Sequence, residues 1–369
     1  MKNAYNKARV FICGFLIAAF AVAMPILPDN TFSEKENRRL AKKPVFTLEN
    51  LFSGKYTDAL SEYYADQFPL RDLFVAGKAY CELGMGKREN NGIVYGKNGV
   101  LIPVPEIKEN RLYENLSIIS ELGKRTNSDI TLAALPRTAD VFSEYLPASF
   151  SQEELRKIWE ELAADTNNLK LKSVDLYSKL CEDNLYYKTD HHYTSDGAYS
   201  VYSLLGDALG YTPENKDYFK IETVSKDFCG TSMRTSGFYL CKKDSIKLYR
   251  YENDMSYSVV ADGKEIALYD FSKLETTDKY AVFLGGNHAR VDITANAEGR
   301  EKLLLIRDSF ADSIIPFLAI HYDITLIDLR YYQKSVAEIL REENIGKALV
   351  YESIGELAAA KNLSYLKMN

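Results

Sequence analysis

The sequence predicts an α/β fold built on a mostly parallel sheet, with a helical region before it and an antiparallel β-rich insertion inside it. Three observations carry this expectation. From Leu112 onward, short apolar runs alternate with segments of helical period, the order that buries a parallel sheet between two helical layers. The alternation breaks between about 217 and 300, where β-like runs and turns replace helices, and resumes at Leu303. A composition of 46% hydrophobic and 27% charged residues over 369 positions is globular, with room for one large domain or two smaller ones.

At the N-terminus, Lys2, Lys7 and Arg9 precede an uncharged run from Val10 to Leu27, just long enough for the roughly 17 to 25 residues of a membrane helix. Ala21-Val22-Ala23 resembles a signal-peptidase site, but Pro25 stands too close behind it. Residues 1–28 therefore read as an uncleaved anchor in preference to a removed signal, with the body on the extracytoplasmic side, or secreted if the segment is cut. Arg38, Arg39, Lys42 and Lys43 follow closely and weaken the charge asymmetry that would set orientation. Residues 29–88 form a helical lead-in, where Leu51, Tyr56, Leu60, Tyr63 and Tyr64 share a face that Asp66-Gln67-Phe68-Pro69-Leu70-Arg71 interrupts. Residues 89–369 form the main domain, entered by a hairpin over Gly92–Ile102 around Asn98-Gly99.

Within that domain the pattern gives a helix at Tyr113–Lys124, a strand at Ile130–Leu135 ending before Pro136, a helix at Gln152–Ala164 and a short strand at Ser173–Leu176. Ala198, Val201, Tyr202, Leu205, Ala208 and Leu209 then mark one face of a helix that Gly210 stops. The insertion carries β-like runs at Ser245–Tyr251, Ser256–Val260 and Tyr280–Leu284, with turns at Asp262-Gly263 and Gly285-Gly286. The closing pattern is a strand over Leu303–Ile306, a helix-like stretch to His321, a strand at Ile324–Ile327, a helix at Val336–Arg341 and a strand at Ala348–Tyr351.

A net charge of -6 excludes nucleic acid as the main partner, because phosphate contacts require a basic face. Of the five cysteines, Cys13 lies in the apolar run. Cys81, Cys181, Cys229 and Cys241 show no metal-ligand spacing, and only Cys229 and Cys241 are near enough in sequence to bridge.

Chemistry concentrates at Lys188-Thr189-Asp190-His191-His192-Tyr193, where two of the four histidines stand together just before a helix N-terminus. In an extended lead-in Asp190 and His192 share a side while His191 faces elsewhere, and a carboxylate beside an imidazole fixes its tautomer for general-base work. The second feature is Arg307-Asp308-Ser309-Phe310, a polar turn after a buried strand, where the crevice at strand carboxyl ends would meet Ser309. A serine there is either a helix N-cap or a nucleophile, and Asp190 and His192 would supply the orienter and base of a nucleophile.

Together, Asp190-His191-His192-Tyr193 and Arg307-Asp308-Ser309-Phe310 resemble the DHHW protein family, with Tyr193 in place of its Trp. That family is similar to the SGNH-like alginate O-acetyltransferase proteins. The likeness extends to Ser33–Leu40, Asp66–Arg71, Gly96-Lys97-Asn98-Gly99 and Gly285-Gly286-Asn287. It implies a three-layer SGNH-hydrolase-like domain and, matched by motif, a triad of Asp190, His192 and Ser309. It also implies Asn287 as an oxyanion donor. Arg330 and Tyr193 are further substrate-binding candidates. Arg307 stands where SGNH hydrolases carry glycine, and the order of the blocks is reversed, as in the alginate relatives.

The function expected on these grounds is extracytoplasmic acyl transfer to, or acyl-ester hydrolysis on, hydroxyls of a cell-surface polysaccharide. No cofactor is called for, and the resemblance implies a membrane-bound O-acyltransferase partner as acyl source. Two other readings stay open. One is a non-catalytic, membrane-anchored glycan-binding or scaffold protein. The other is a metal-dependent phosphoesterase with Asp190, His191 and His192 as ligands, which lacks the early Asp-x-Asp motif such enzymes carry.

Overall fold

The run Leu303-Leu304-Leu305-Ile306 has no polar face, and in the computed structural model it forms the middle of an eight-stranded sheet buried on both sides. Leu303 and Leu305 pack into one core with Ala198, Val201 and Leu205, while Leu304 and Ile306 pack into the opposite one with Leu116, Ile119 and Leu340. Alternation along one strand thus feeds two cores. Residues 2–33, 35–104, 110–183, 185–252 and 255–368 are described. Met1 of the N-terminal segment, Glu34 of the Ser33–Leu40 stretch, and Asn253 and Asp254 in the β-rich region lie outside them.

Numbering only the strands of this sheet, they are β1 (Asp129–Leu135), β2 (Lys172–Ser173), β3 (Tyr257–Ala261), β4 (Lys264–Ile266), β5 (Arg290–Ala295), β6 (Glu301–Arg307), β7 (Tyr322–Ile327) and β8 (Lys347–Ser353). Their spatial order is β4-β3-β5-β7-β6-β8-β1-β2. From β7 to β2 every pairing is parallel, and from β4 to β7 every pairing is antiparallel. The sheet is therefore mixed, where a mostly parallel one was expected. The insertion supplies the difference: β5 pairs with β7, Arg290 opposite Ile327, so the parallel half has no open edge there. Within the insertion, Phe219–Phe228 and Asp244–Tyr251 stay outside this sheet as a separate two-stranded ribbon.

One further expected strand is absent. Lys279–Val282 is a 3-10 turn followed by a single bridge between Tyr269 and Phe283. Leu284, Gly285 and Gly286 all take positive φ, which ends extended backbone at that point. No disulfide joins Cys229 to Cys241 among the described residues. The Cys229 thiol instead approaches the Asp227 carbonyl at 3.7 Å.

The chain divides into two units, 88–236 with 240–369, which holds the sheet, and 1–87 with 237–239. In the second, helices span Lys2–Ile26, Leu48–Phe52, Lys55–Asp66 and Arg71–Gly84. Among the described residues no helix is long and apolar enough to cross a membrane, so the anchor expected over 1–28 gains no support from the fold. The stretches 33–40 and 66–71 hold each other: Arg38 donates to both carboxylate oxygens of Asp66 at 2.5 and 2.9 Å, and Arg71 to Glu36 at 2.6 Å. Leu70, at φ 59, stands between helix Lys55–Asp66 and helix Arg71–Gly84, immediately before the second.

Candidate active site

The helix Ser195–Leu209 starts where Thr194 caps it, its hydroxyl accepting the Gly197 N–H. Before that cap the chain folds back on itself, Tyr187 N–H donating to the His192 carbonyl and Thr194 N–H to that of Leu185. The Asp-His-His segment is thus a bent loop and not an extended lead-in. Asp190 Oδ1 accepts the backbone N–H of His192 at 3.1 Å, which curls the loop and cancels the expected alternation. His191 consequently does not turn away: its Nδ1 lies 3.6 Å from Asp190 Oδ1, and its ring centroid is 3.9 Å from that of His192.

The loop brings Asp190, His192 and Ser309 into one row. His192 Nδ1 lies 2.5 Å from Asp190 Oδ1, and His192 Nε2 lies 2.8 Å from Ser309 Oγ. Asp190 and His192 are buried, whereas Ser309 is partly open. Burial opposes charge on Asp190. The electrostatic pull of the His192 and His191 imidazoles, with the hydrogen bonds from His192 and the Thr231 N–H (2.6 Å), still holds its carboxyl well below the usual range. With the carboxylate on Nδ1, the tautomer leaves Nε2 to accept the proton of a serine hydroxyl.

Ser309 follows β6 at its carboxyl end, as first residue of the 3-10 turn Ser309–Ser313. It does not cap that turn. Asp308 does, accepting the Phe310 N–H at 3.0 Å through Oδ1 and the Ser353 N–H at 2.8 Å through Oδ2. The Ser309 hydroxyl is therefore left to His192.

Several supports carried no sequence signal. Gly230 packs so closely on the loop that a Cβ there would sit 2.2 Å from Asp190 Cβ, so the position admits only glycine. Asp244 takes the backbone N–H groups of Lys188 and Thr189 and the Thr189 hydroxyl, fixing the loop from behind. Tyr280, expected in a strand, lies flat on His192 at 4.0 Å between centroids and 8° between planes, with Phe310 edge-on to the same imidazole.

The remaining candidates fall elsewhere. Tyr193 is fully buried and its hydroxyl bonds to the Phe310 carbonyl and to Tyr351, so it anchors the Ser309 turn and does not meet substrate. Arg330 forks onto Asp328 at 2.9 and 2.6 Å. Asn287 is exposed, its Oδ1 accepting from Arg307 and Arg330 at 3.4 Å each, which turns its amide nitrogen outward. No hydrogen bond ties it to Ser309 among the described residues. Asp190, His191 and His192 also offer metal-ligand atoms within 4.8 Å of one another. Both His192 nitrogens and both Asp190 oxygens already have partners, which leaves His191 as the one uncommitted ligand of the three.

Residues 155–327 match the DHHW protein family, the family the quoted motifs resemble. The chain is 26% identical over 196 residues to the probable alginate O-acetylase AlgJ of Azotobacter vinelandii, covering 47% of this chain. It spans about half, 49%, of that protein's length. Among solved structures, a DHHW family protein from Eubacterium siraeum superposes at a TM-score of 0.62 with 18% identity, covering 76% of this chain and 96% of that one. Bacillus cereus PatB1, solved with a sulfonyl adduct, superposes at 0.61 with 21% identity, covering 74% and 97%. These likenesses establish the fold.

Proposed function

We propose, from a chain whose residues 155–327 match the DHHW family and which resembles an alginate O-acetylase at a distance, that this protein is a serine-dependent O-acyltransferase or acylesterase acting on polysaccharide hydroxyls. The single observation that carries the reading is the continuous row Ser309 Oγ, His192, Asp190, with spacings of 2.8 and 2.5 Å. Ser309 Oγ attacks the acyl carbonyl while His192 Nε2 takes its proton, and Asp190 stabilises the imidazolium. The donor's alkoxide leaves with that proton. A sugar hydroxyl, or water, then attacks the acyl-serine as His192 Nε2 takes its proton, the C–Oγ bond breaks, and His192 passes that proton to Ser309 Oγ. Asn287 Nδ2 is the proposed donor to the oxyanion, its carbonyl end being held by the two arginines.

Tyr280 supports this chemistry, since a stacked aromatic face favours the cationic imidazolium over the neutral ring. The metal reading rests on the 4.8 Å clustering of Asp190, His191 and His192. One experiment separates the two: turnover of a small acetyl ester by the full chain, with a sulfonyl fluoride or with a chelator. The serine reading predicts loss with the sulfonyl fluoride and none with the chelator, and the reverse pattern would overturn it. An extracytoplasmic setting with residues 1–28 as anchor is proposed from the uncharged run Val10–Leu27, and a membrane-bound acyl donor as partner from the family resemblance. Membrane fractionation with protease accessibility tests it, and a protease-shielded cytoplasmic body would contradict it.

A further inference from the structure

In the N-terminal unit, Leu70 is a side chain that neither its backbone nor a core accounts for. It stands at the N-cap of helix Arg71–Gly84 with φ 59 and gives that helix no side-chain cap bond. Asparagine, aspartate or glycine would cap the helix or tolerate the left-handed backbone, and leucine does neither. Burial does not compensate, since Leu70 is 67% exposed, and the next apolar residues, Leu73 and Phe74, are 66% and 50% exposed. A strained, uncapped turn that carries three large apolar side chains outward points to an apolar partner.

A cluster of three rings narrows that partner. Phe68 and Phe74 lie 4.9 and 5.7 Å from Phe20 between centroids, and 5.4 Å from each other. Phe20 belongs to helix Lys2–Ile26 and stands within the uncharged run Val10–Leu27, along which Val10, Phe11, Ile17 and Ile26 are also largely exposed. The turn 68–74 therefore continues the apolar surface of that helix, and a bilayer that takes up the run meets the turn as well. Charge agrees with a lipid surface. Gln67 Nε2 donates to the Ala41 carbonyl at 3.0 Å, which brings the chain just before Lys42 and Lys43 to the base of the turn. Both lysines are exposed and form no ion pair among the described residues, while the nearby Asp72 has Arg71 at 4.0 Å. A layer of lipid phosphates complements the lysine pair, whereas a second copy docked turn to turn would repeat it.

We propose that the turn 68–74 is a membrane-contact tip, which seats Leu70, Leu73 and Phe74 in the interface of a lipid bilayer while Lys42 and Lys43 meet its phosphates. The proposal rests on the membrane reading of residues 1–28, extends it to a second segment, and does not depend on acyl transfer. It holds whether helix Lys2–Ile26 crosses the bilayer or lies in its surface.

The test is fluorescence quenching in the full chain, reconstituted into vesicles of phosphatidylcholine and phosphatidylglycerol with or without bromine on the acyl chains. Trp159→Phe removes the single native tryptophan, and a new one is placed by Leu73→Trp, by Phe15→Trp in the apolar run, or by Tyr113→Trp at an exposed site of the sheet-bearing unit. Brominated lipid should remove about half or more of the emission of Leu73→Trp and leave that of Tyr113→Trp unchanged. Leu70→Asn suits the left-handed turn and folds at least as well, yet it should lower the quenching of Leu73→Trp about twofold. No quenching of Leu73→Trp overturns the proposal. Quenching of Phe15→Trp in that case leaves the reading of residues 1–28 standing by itself, and its absence removes that reading too. Blue-shifted but unquenched emission from Leu73→Trp would mark contact with a second copy, and equal quenching of Tyr113→Trp would mark general adsorption. Each of these, like quenching that Leu70→Asn does not change, contradicts a dedicated tip.

Discussion

Arg307 and Ser309 stand two residues apart at the end of β6, yet they lead into polar arrays of opposite kinds. Arg307 is wholly enclosed, 3.0 Å from Asp312 and 3.7 Å from Asp328, and both carboxylates are as deeply buried as it is. Arg330 closes that array from the other side by its fork on Asp328. The Ser309 row is hydrogen-bonded from Asp190 through His192 to a partly open hydroxyl, whereas around Arg307 the guanidinium Nε and Nη2 and Asp312 Oδ1 are buried without a hydrogen-bond partner and charge proximity holds the array. A closed array holds the loops at the sheet's edge, whereas an open one presents a reactive atom. The two should therefore fail differently when a member is removed.

The largest effect is expected at the open array. Ser309→Ala should lower acetyl-ester turnover by several powers of ten while the melting temperature barely moves, because Asp308 and not Ser309 caps the turn. Parallel kinetics and thermal melts check it, and a large stability loss would mean that the two arrays are not separable. In the closed array, Arg307→Met should cost about 3–5 kcal/mol in denaturant unfolding, since it leaves the buried Asp312 carboxylate without its charge partner and Asp328 with Arg330 alone.

The closed array should also set a pH dependence. Burial, only partly offset by Arg307, pushes the Asp312 carboxyl up to about 6. An acid whose folded pKa is raised stabilises the fold in its protonated form, fully below its unfolded value of about 4 and progressively less as pH rises toward 6. Asp312→Asn should flatten that part of the stability profile, and an unchanged slope would place the titration elsewhere.

Smaller effects sharpen the contrast around His192. Tyr280→Leu should reduce kcat by about tenfold through loss of the stacked ring, at roughly 0.5–2 kcal/mol of imidazolium stabilisation, while Tyr280→Phe keeps most of the rate. A purely structural tyrosine would give equal losses in both. The least effect is expected from His191→Gln, a few-fold at most, because no proton in the proposed sequence passes through it. Complete loss, restored by added divalent metal, would favour the metal reading.

How much of this was legible in the sequence follows from how local each signal is. β1, β6, β7 and β8 were readable as runs of apolar residues, and their observed ends differ from the expected ones by at most two residues. The pairing of Asp190 with His192 was readable because both lie in one short loop. The stance of His191 was not, because a side-chain bond from Asp190 to the His192 N–H overrides strand alternation. The strand expected over Tyr280–Leu284 failed because its apolar residues pack from a turn, which apolar content alone cannot distinguish from an extended run. Gly230 and Asp244 act across 40 residues or more of chain, and no spacing rule reaches that far. The antiparallel half of the sheet was legible as β-rich, but not as part of the same sheet, since strand pairing is decided by which edge is open.

The central claim, that Ser309 carries the acyl group, is tested most directly by rapid quench with an activated acetyl ester and mass spectrometry of the peptide containing residues 308–310. The account predicts one acetyl adduct on Ser309 in the wild-type chain, strongly reduced in His192→Gln and absent in Ser309→Ala. Turnover by the wild-type chain with no adduct on this peptide, or an adduct elsewhere that persists in Ser309→Ala, would contradict it.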